Sequence, residues 1–244
     1  MDKPTAVVTG GASGIGKATC ELLARDGYVV AVVDRDETGA GAVAASCGGL
    51  AFGLDIGDEP AVCRLFDEVA AAFGGRLDAL ATCAGIVDTT PFMNISVATF
   101  RRVYDVNLIG TFLCIREAAK HMRPGAHICT VASVAGKRGG GLSGTAAYAS
   151  SKGAVLALTK SAARALADAG ILVNGVAPGP VMTPMLTKEW EIHPEWQTRV
   201  EAMLPLGRAA QANEIAEAIV WLLSPRASFV HGEILTVDGG LLMD

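Results

Sequence analysis

Aromatic residues are scarce, 5% of the 244-residue chain, which leaves little with which to build a base-stacking platform. Basic residues are outnumbered as well. Lys and Arg total 20 against 25 Asp and Glu, a formal net charge of −5, whereas nucleic acids and anionic membranes need a basic face. Neither is an expected partner. The six cysteines (Cys20, Cys47, Cys63, Cys83, Cys114, Cys129) contain no Cys-x-x-Cys, and the four histidines no His-x-x-x-His. Without such spacing no metal site is expected, and each cysteine, set in an apolar stretch, reads as a small buried hydrophobe. No apolar run reaches the ~18 residues of a membrane span, and no signal-peptide core precedes the first strand pattern. A reducing, cytoplasmic setting is the simplest reading.

Apolar residues, by contrast, make up 51% of the chain and charged ones 18%, enough to bury a large core. Short apolar, β-rich runs cover Ala6–Thr9, Tyr28–Val33, Gly49–Leu54, Ala79–Thr82, Ala126–Val131, Ile171–Val176 and Glu233–Val237. They have the look of strands buried on both faces. Helical periodicity fills the intervals: Ile15–Arg25, Glu37–Ser46, Glu59–Phe73, Val97–His121, Ala147–Ala169 and Asn213–Leu223. This alternation predicts a doubly wound α/β fold with a seven-stranded, mainly parallel sheet and helices on both faces. With no repeat, low-complexity tract or linker, residues 1–244 form one expected domain. Met185 to Arg208 breaks the rhythm with Trp190, Ile192 and Trp196, and with Pro184, Pro194 and Pro205 as breaks at its start and within it. An insertion at the carboxyl end of an open α/β sheet lies where ligands bind, so residues 185–208 are read as a lid with an apolar inner face.

The first strand runs into Gly10-Gly11-Ala12-Ser13-Gly14-Ile15-Gly16 and then a helix. Glycines in that context let the backbone turn tightly and approach a pyrophosphate, which the helix N-terminus attracts. The Gly-x-x-x-Gly-x-Gly spacing is wider than the usual Gly-x-Gly-x-x-Gly. Asp34, eighteen residues past Gly16, ends the second strand. A carboxylate there accepts from the adenosine ribose hydroxyls and repels a 2′-phosphate, which favours NAD over NADP; Arg35 beside it is a weaker counter-signal. Asp55-Ile56 ends the third strand, where Asp55 either meets the adenine amino group or caps a turn.

Tyr148-Ala149-Ser150-Ser151-Lys152 heads a long helix, and residues at i and i+4 share one face. A phenol with a pKa near 10 is no base at pH 7, and lowering it by about three units takes roughly 4 kcal/mol. A neighbouring ammonium in a desolvated site, helped by a nicotinium ring, supplies much of that. With Tyr148/Lys152 and the glycine turn stand Asn107 in Val106-Asn107-Leu108-Ile109-Gly110, Ser133 in Ala132-Ser133-Val134-Ala135-Gly136, the loop Asn174-Gly175-Val176-Ala177-Pro178-Gly179-Pro180-Val181-Met182-Thr183-Pro184, and Val237-Asp238-Gly239-Gly240. In that order, over essentially the whole chain, these motifs resemble the short-chain dehydrogenase/reductase family, a Rossmann-type fold.

The resemblance implies that Tyr148 is the acid/base exchanging the alcohol proton, that Ser133 hydrogen-bonds the substrate oxygen, and that Lys152 lowers the tyrosine pKa and holds the nicotinamide ribose. Asn107 is expected to position a relay water and Thr183 to bond the carboxamide. It also implies that NAD lies against Gly10, Ser13, Gly14, Ile15, Gly16, Asp34, Asp55, Ile56, Ala84, Gly85, Tyr148, Lys152, Pro178, Gly179, Val181 and Thr183, and that the enzyme is a homotetramer packed through the long helices after the fourth and fifth strands. Two departures stand out. Thr82-Cys83-Ala84-Gly85 replaces the common Asn-Asn-Ala-Gly, which removes a side-chain brace and some rigidity. Ser133 precedes Tyr148 by fifteen positions, slightly more than usual, with Ser143 as rival for its role.

The function expected is NAD(H)-dependent interconversion of a secondary alcohol and a ketone. A 3-oxoacyl-thioester reductase of the same family is the alternative, and a catalytically silent dinucleotide-binding regulator the non-enzymatic one. Lys137-Arg138, just past Ser133, reads either as a recogniser of an anionic substrate or, more commonly for such a pair, as solvated loop charge. Trp190 and Trp196 fit a substrate pocket and a subunit contact equally well, and His193 reads as a lid or surface residue. Cys83 has no basic neighbour in sequence and reads as packing rather than a redox nucleophile.

Overall fold

The computed structural model describes residues 3–140 and 146–243. Seven parallel strands form one sheet in the order β3-β2-β1-β4-β5-β6-β9. They are β1 (Thr5–Thr9), β2 (Val29–Asp34), β3 (Leu50–Gly53), β4 (Leu77–Thr82), β5 (Met122–Val131), β6 (Leu172–Pro178) and β9 (Ile234–Val237). The strand order reverses between β1 and β4, and the crevice at their carboxyl ends is the place where such sheets bind ligands.

Adjacent residues of β1 show how both faces are filled. Ala6 and Val8 join Val30, Val32, Ile215 and Ile219 in one core, while Val7 joins Val33, Leu80, Phe66 and Ile128 in the other. The first core is covered by α1 (Gly14–Arg25), α2 (Glu37–Cys47) and α10 (Ala212–Leu222), the second by α3 (Glu59–Ala72), α5 (Thr111–Ala119) and α7 (Ala146–Leu166). Helix starts follow the local chemistry: Asp36 accepts from the Gly39 amide and Asp58 from that of Ala61, satisfying donors that the helix itself cannot.

Several elements differ from the sequence expectation. β3 is an edge strand with three of its four residues exposed, because nothing pairs beyond it; Tyr28–Val33 and Ala79–Thr82, in contrast, are flanked on both sides. The helix expected over Val97–His121 is α4 (Val97–Tyr104), a wide π-helical turn at Asp105–Gly110, and then α5. β5 begins at Met122, four residues before the expected Ala126. Three short elements carry no clear sequence signal: α6 (Val134–Arg138) and the parallel pair β7 (Val181–Met182) and β8 (Ala210–Gln211).

The Met185–Arg208 insertion folds into α8 (Pro184–Ile192) and α9 (Pro194–Met203), fastened at its base by β7 and β8. It has a core of its own, in which Trp190 packs with Val200, Leu204 and Ala209, and Trp196 packs against them. His193 stacks on Trp196 with ring centroids 4.1 Å apart. Both tryptophans therefore hold the insertion together. Among the described residues no helix is long and apolar enough to cross a membrane, and no cluster of His, Cys, Asp and Glu is arranged to hold a metal ion.

Candidate active site

The β1–α1 turn forms one end of a cavity of about 430 Å³ that runs along the carboxyl ends of the strands. Gly10 has φ +69°, and a Cβ there would lie 2.7 Å from the Ala84 backbone; at Gly16 it would lie 2.1 Å from the Gly10 carbonyl oxygen. These two glycines therefore close the turn on itself and against β4. Ser13, at the N-cap of α1, makes no capping bond with its side chain and faces the cavity. Thr9 finishes the turn. Its carbonyl accepts from the Cys83 amide (3.1 Å) and its hydroxyl from the Ala84 amide (3.3 Å). That brace compensates for the missing asparagine, while the buried Thr82 hydroxyl finds no partner among the described residues.

Asp34 both caps and lines. One carboxylate oxygen accepts from the Ala12 amide at 3.1 Å and the other from the Asp36 amide at 3.0 Å, tying the glycine turn to β2 beside the cavity. Asp55 accepts from the Gly57 amide and pairs with Arg102 of α4, a partner 47 positions away in the chain. These contacts hold its carboxyl below the ordinary carboxylate range against the opposing effect of burial. Pro178, Gly179, Val181 and Thr183 form another stretch of wall. Gly179 is needed there because a Cβ would lie 2.8 Å from the Asp238 backbone. Asp238 accepts from the amides of Gly240 and Leu242, which accounts for the Val-Asp-Gly-Gly motif. Thr183 caps α8 by accepting from the Leu186 amide.

The reactive groups converge on the middle of the cavity. Ser133 stands two residues past the end of β5, at the N-cap of α6, its Oγ accepting from the Ala135 amide at 3.1 Å. Close packing of α6 on α7 brings it to Tyr148: a Cβ on Gly136 would come within 2.5 Å of the Gly153 backbone. Burial pushes the Tyr148 phenol above its ordinary value, and the hydrogen bond with Ser133 opposes that rise. The expected lowering by Lys152 is not what the protein groups produce. The Lys152 ammonium stands 6.0 Å from the Tyr148 ring centroid and donates to the Val131 carbonyl at 2.7 Å. Burial brings its own pKa down to about 8. Its charge bears on Cys83, but desolvation dominates and holds that thiol up at about 12, so Cys83 is no nucleophile despite the basic neighbour.

Asn107 is the one expected catalytic residue set behind the cavity wall. Its Oδ1 accepts from the Ile86 amide (2.8 Å), while its Nδ2 donates to the Ile86 carbonyl (2.9 Å) and to Ser151 Oγ (3.0 Å). The side chain is thus occupied in fastening the π-helical turn to the segment after β4 and to the Tyr148 helix. A Cβ on Gly85 would lie 3.3 Å from both Asn107 Oδ1 and Lys152 Nζ, so these three positions meet. The remaining expected residues, Gly14, Ile15, Ile56, Ala84 and Gly85 among them, all line the cavity. Ser143 lies outside the described residues.

A family model described as enoyl-(acyl carrier protein) reductase matches residues 10–242. Over 241 residues the chain is 42% identical to 2,5-dichloro-2,5-cyclohexadiene-1,4-diol dehydrogenase of Sphingobium indicum, covering 97% of this chain and 96% of that one. It is also 42% identical, over 243 residues, to cis-4-hydroxycyclohexanecarboxylate dehydrogenase of Sinomonas cyclohexanicum, covering 96% and 95%. The chain is a short-chain dehydrogenase/reductase. A solved member from Brucella melitensis, a glucose/ribitol dehydrogenase-type protein, superposes with a TM-score of 0.92 at 33% identity and full coverage of both chains. As a short-chain dehydrogenase/reductase, the protein is an oxidoreductase that interconverts a secondary alcohol and a ketone with a nicotinamide dinucleotide. The cavity suits that cofactor: bare backbone at Gly10 and Gly16 where a pyrophosphate must come close, a Ser13 hydroxyl that makes no capping bond at a helix N-terminus, and a carboxylate at the end of β2.

Proposed function

We propose that this enzyme oxidises the carbinol of a small alicyclic secondary alcohol, or reduces the matching ketone, with NAD(H) and with Tyr148 as acid/base. The reading rests above all on the meeting of Ser133, Tyr148 and Lys152 at one cavity wall, with Lys152 held by the Val131 carbonyl. A nicotinamide dinucleotide, when bound, would supply or accept the hydride. Ser133 donates to the substrate oxygen and orients it toward the phenol. Tyr148, protonated at neutral pH, gives its proton to the oxygen in reduction; in oxidation it first releases that proton to solvent, and the phenolate then takes the proton of the alcohol. Lys152, held by the Val131 carbonyl, places a positive charge near the phenolate that forms. Asn107 acts as a positioning residue, through Ile86 and Ser151.

Asp34 supports NAD over NADP, because a 2′-phosphate near its carboxylate would meet like charge. That also counts against the thioester-reductase alternative, whose biosynthetic members usually draw on NADPH. The ring-shaped substrate is suggested by the two relatives named above and by the apolar contribution of Met185, Leu186, Val200 and Met203 to the cavity. Residues 185–208 act as its lid in this reading. A homotetramer is consistent with the exposure of Ile109 and Phe112 on the helix after β4, and light scattering measures it directly.

The test is a screen of cyclic alcohols and ketones, followed by NADH and NADPH absorbance, with wild type and Tyr148→Phe in parallel. Turnover of ring alcohols with NAD is expected, with a loss of about 10²–10⁴-fold in the variant while NADH still quenches protein fluorescence. Near-normal turnover by Tyr148→Phe removes the acid/base assignment.

A further inference from the structure

Four cationic side chains line the cavity: Arg35, Arg102, Lys152 and Arg138. Three belong to the nucleotide end or the proton relay. Arg102 is paired with Asp55, Lys152 donates to the Val131 carbonyl, and Arg35 follows the ribose-side Asp34. Arg138 is different. It ends α6, the helix that Ser133 caps, and it makes no hydrogen bond or ion pair among the described residues. Its neighbour Lys137 is drawn off to β9, where its ammonium donates to Thr236 Oγ1 at 2.8 Å. The two basic residues next to Ser133 thus separate in space: Lys137 is outside the cavity wall and Arg138 within it.

We infer that Arg138 is a specificity-determining residue, which binds an anionic substituent, a carboxylate above all, on the alcohol that Tyr148 and Ser133 process. The inference rests on the proposed alcohol chemistry and adds the charge of the substrate to it. A guanidinium offers a planar fork of donors that matches a carboxylate. Its place follows from α6 itself. Five residues of helix advance about 7.5 Å, so the root of Arg138 is set roughly a ring's width from the serine that holds the carbinol oxygen. The anion it serves is therefore remote from the reacting carbon. Since the whole chain carries a net charge of −5, general electrostatic attraction would not draw an anionic substrate in, and a local cation has to do so. Glu189 of α8 also lines the cavity, and its like charge disfavours an anion on the lid side.

The experiment compares cis-4-hydroxycyclohexanecarboxylate with its methyl ester as substrates for wild type, Arg138→Ala and Arg138→Lys. Alongside it, calorimetry measures binding of cyclohexanecarboxylate and of cyclohexanecarboxamide to the NADH-loaded enzyme. Wild type is expected to favour the acid in kcat/KM by about tenfold or more, the range of a charge-assisted bond. Arg138→Ala should abolish that preference through the acid alone, Arg138→Lys should keep part of it, and the carboxylate should lose its calorimetric advantage over the amide. Equal use of acid and ester by wild type overturns the inference and leaves the alcohol chemistry standing. So does an Arg138→Ala loss shared by both substrates, which would instead assign Arg138 to closure against Glu189. If neither compound is oxidised, the proposed ring-alcohol function fails, while the calorimetric comparison still decides whether Arg138 binds carboxylate.

Discussion

At Gly16 an added Cβ would lie 2.1 Å from a backbone oxygen, whereas at Gly139, just past Arg138, it would meet nothing within 4 Å among the described residues. The two glycines typify the two ends of one cavity. Around the β1–α1 turn, main chain touches main chain: Gly10 against Ala84, Gly16 against Gly10, Gly179 against Asp238. A cofactor common to a family is held by such contacts, which leave no latitude in residue size. The substrate end is built from side chains instead, with Arg138 from α6 and Met185, Leu186, Glu189, Val200 and Met203 from the insertion. Side chains can be exchanged without dismantling the sheet, so specificity can vary there while the nucleotide end stays constant.

The sharpest way to break this contrast is a pair of alanines. Gly16→Ala should eliminate NADH binding as read by fluorescence titration. Gly139→Ala, strained only by its φ of +80°, should retain binding and cost about 1–2 kcal/mol in denaturant unfolding. Equal damage from both would show that the substrate end is as tightly built as the other.

Lys152 marks the seam between the ends, and burial there has a measurable cost. Its folded pKa of about 8 lies below the ordinary 10.5. Between those values the unfolded chain keeps a proton that the native protein has released, so stability from this group rises with pH through that window. Urea melts of wild type should show a gain on the order of 3 kcal/mol from this lysine between pH 8 and 10.5, which Lys152→Met lacks. The same variant should lose catalysis. An unchanged pH slope would mean that the ammonium is better solvated than its burial implies.

Smaller effects refine the nucleotide end. Asp34→Asn keeps an acceptor for one of the two amides, those of Ala12 and Asp36, but removes the charge, and the ratio of kcat/KM for NAD to that for NADP should fall by about tenfold, one charge contact's worth. An unchanged ratio would leave Asp34 as a turn cap alone. Thr82→Val should change the melting midpoint least, by less than about 1 kcal/mol and toward stability, because it removes a buried hydroxyl that has no partner among the described residues. A marked loss would reveal a bond to that hydroxyl.

Residues within one motif were legible before any fold was known. The glycine spacing, Asp34 at a strand end and the i, i+4 pair Tyr148/Lys152 each express a local geometry. So does the alternation that predicts the seven strands. Legibility stopped where distant segments meet. Nothing near Asp55 in the chain announces Arg102, and nothing near Ala84 announces the Thr9 hydroxyl that braces it. Asn107 was found by its motif, yet its occupation by Ile86 and Ser151 follows from the wide turn at Asp105–Gly110. Gly110 there is pressed so closely on Ile56 that a Cβ would come within 2.8 Å. Trp190 and Trp196 kept the readings of substrate pocket and subunit contact open because a large apolar side chain fits any covered surface, and the structure gives them a third role, in the insertion's own core.

Sequence by itself determined what short stretches of chain can do: turn tightly at glycine, alternate strand with helix, set a phenol and an ammonium on one helical face. Tertiary structure alone decided which charges are neutralised and which stay available. Lys137 reaches Thr236 and Arg102 reaches Asp55, while Arg138 remains at the cavity unpaired among the described residues. The reason is that pairing of side chains depends on distances between segments remote in sequence, and only packing sets those distances.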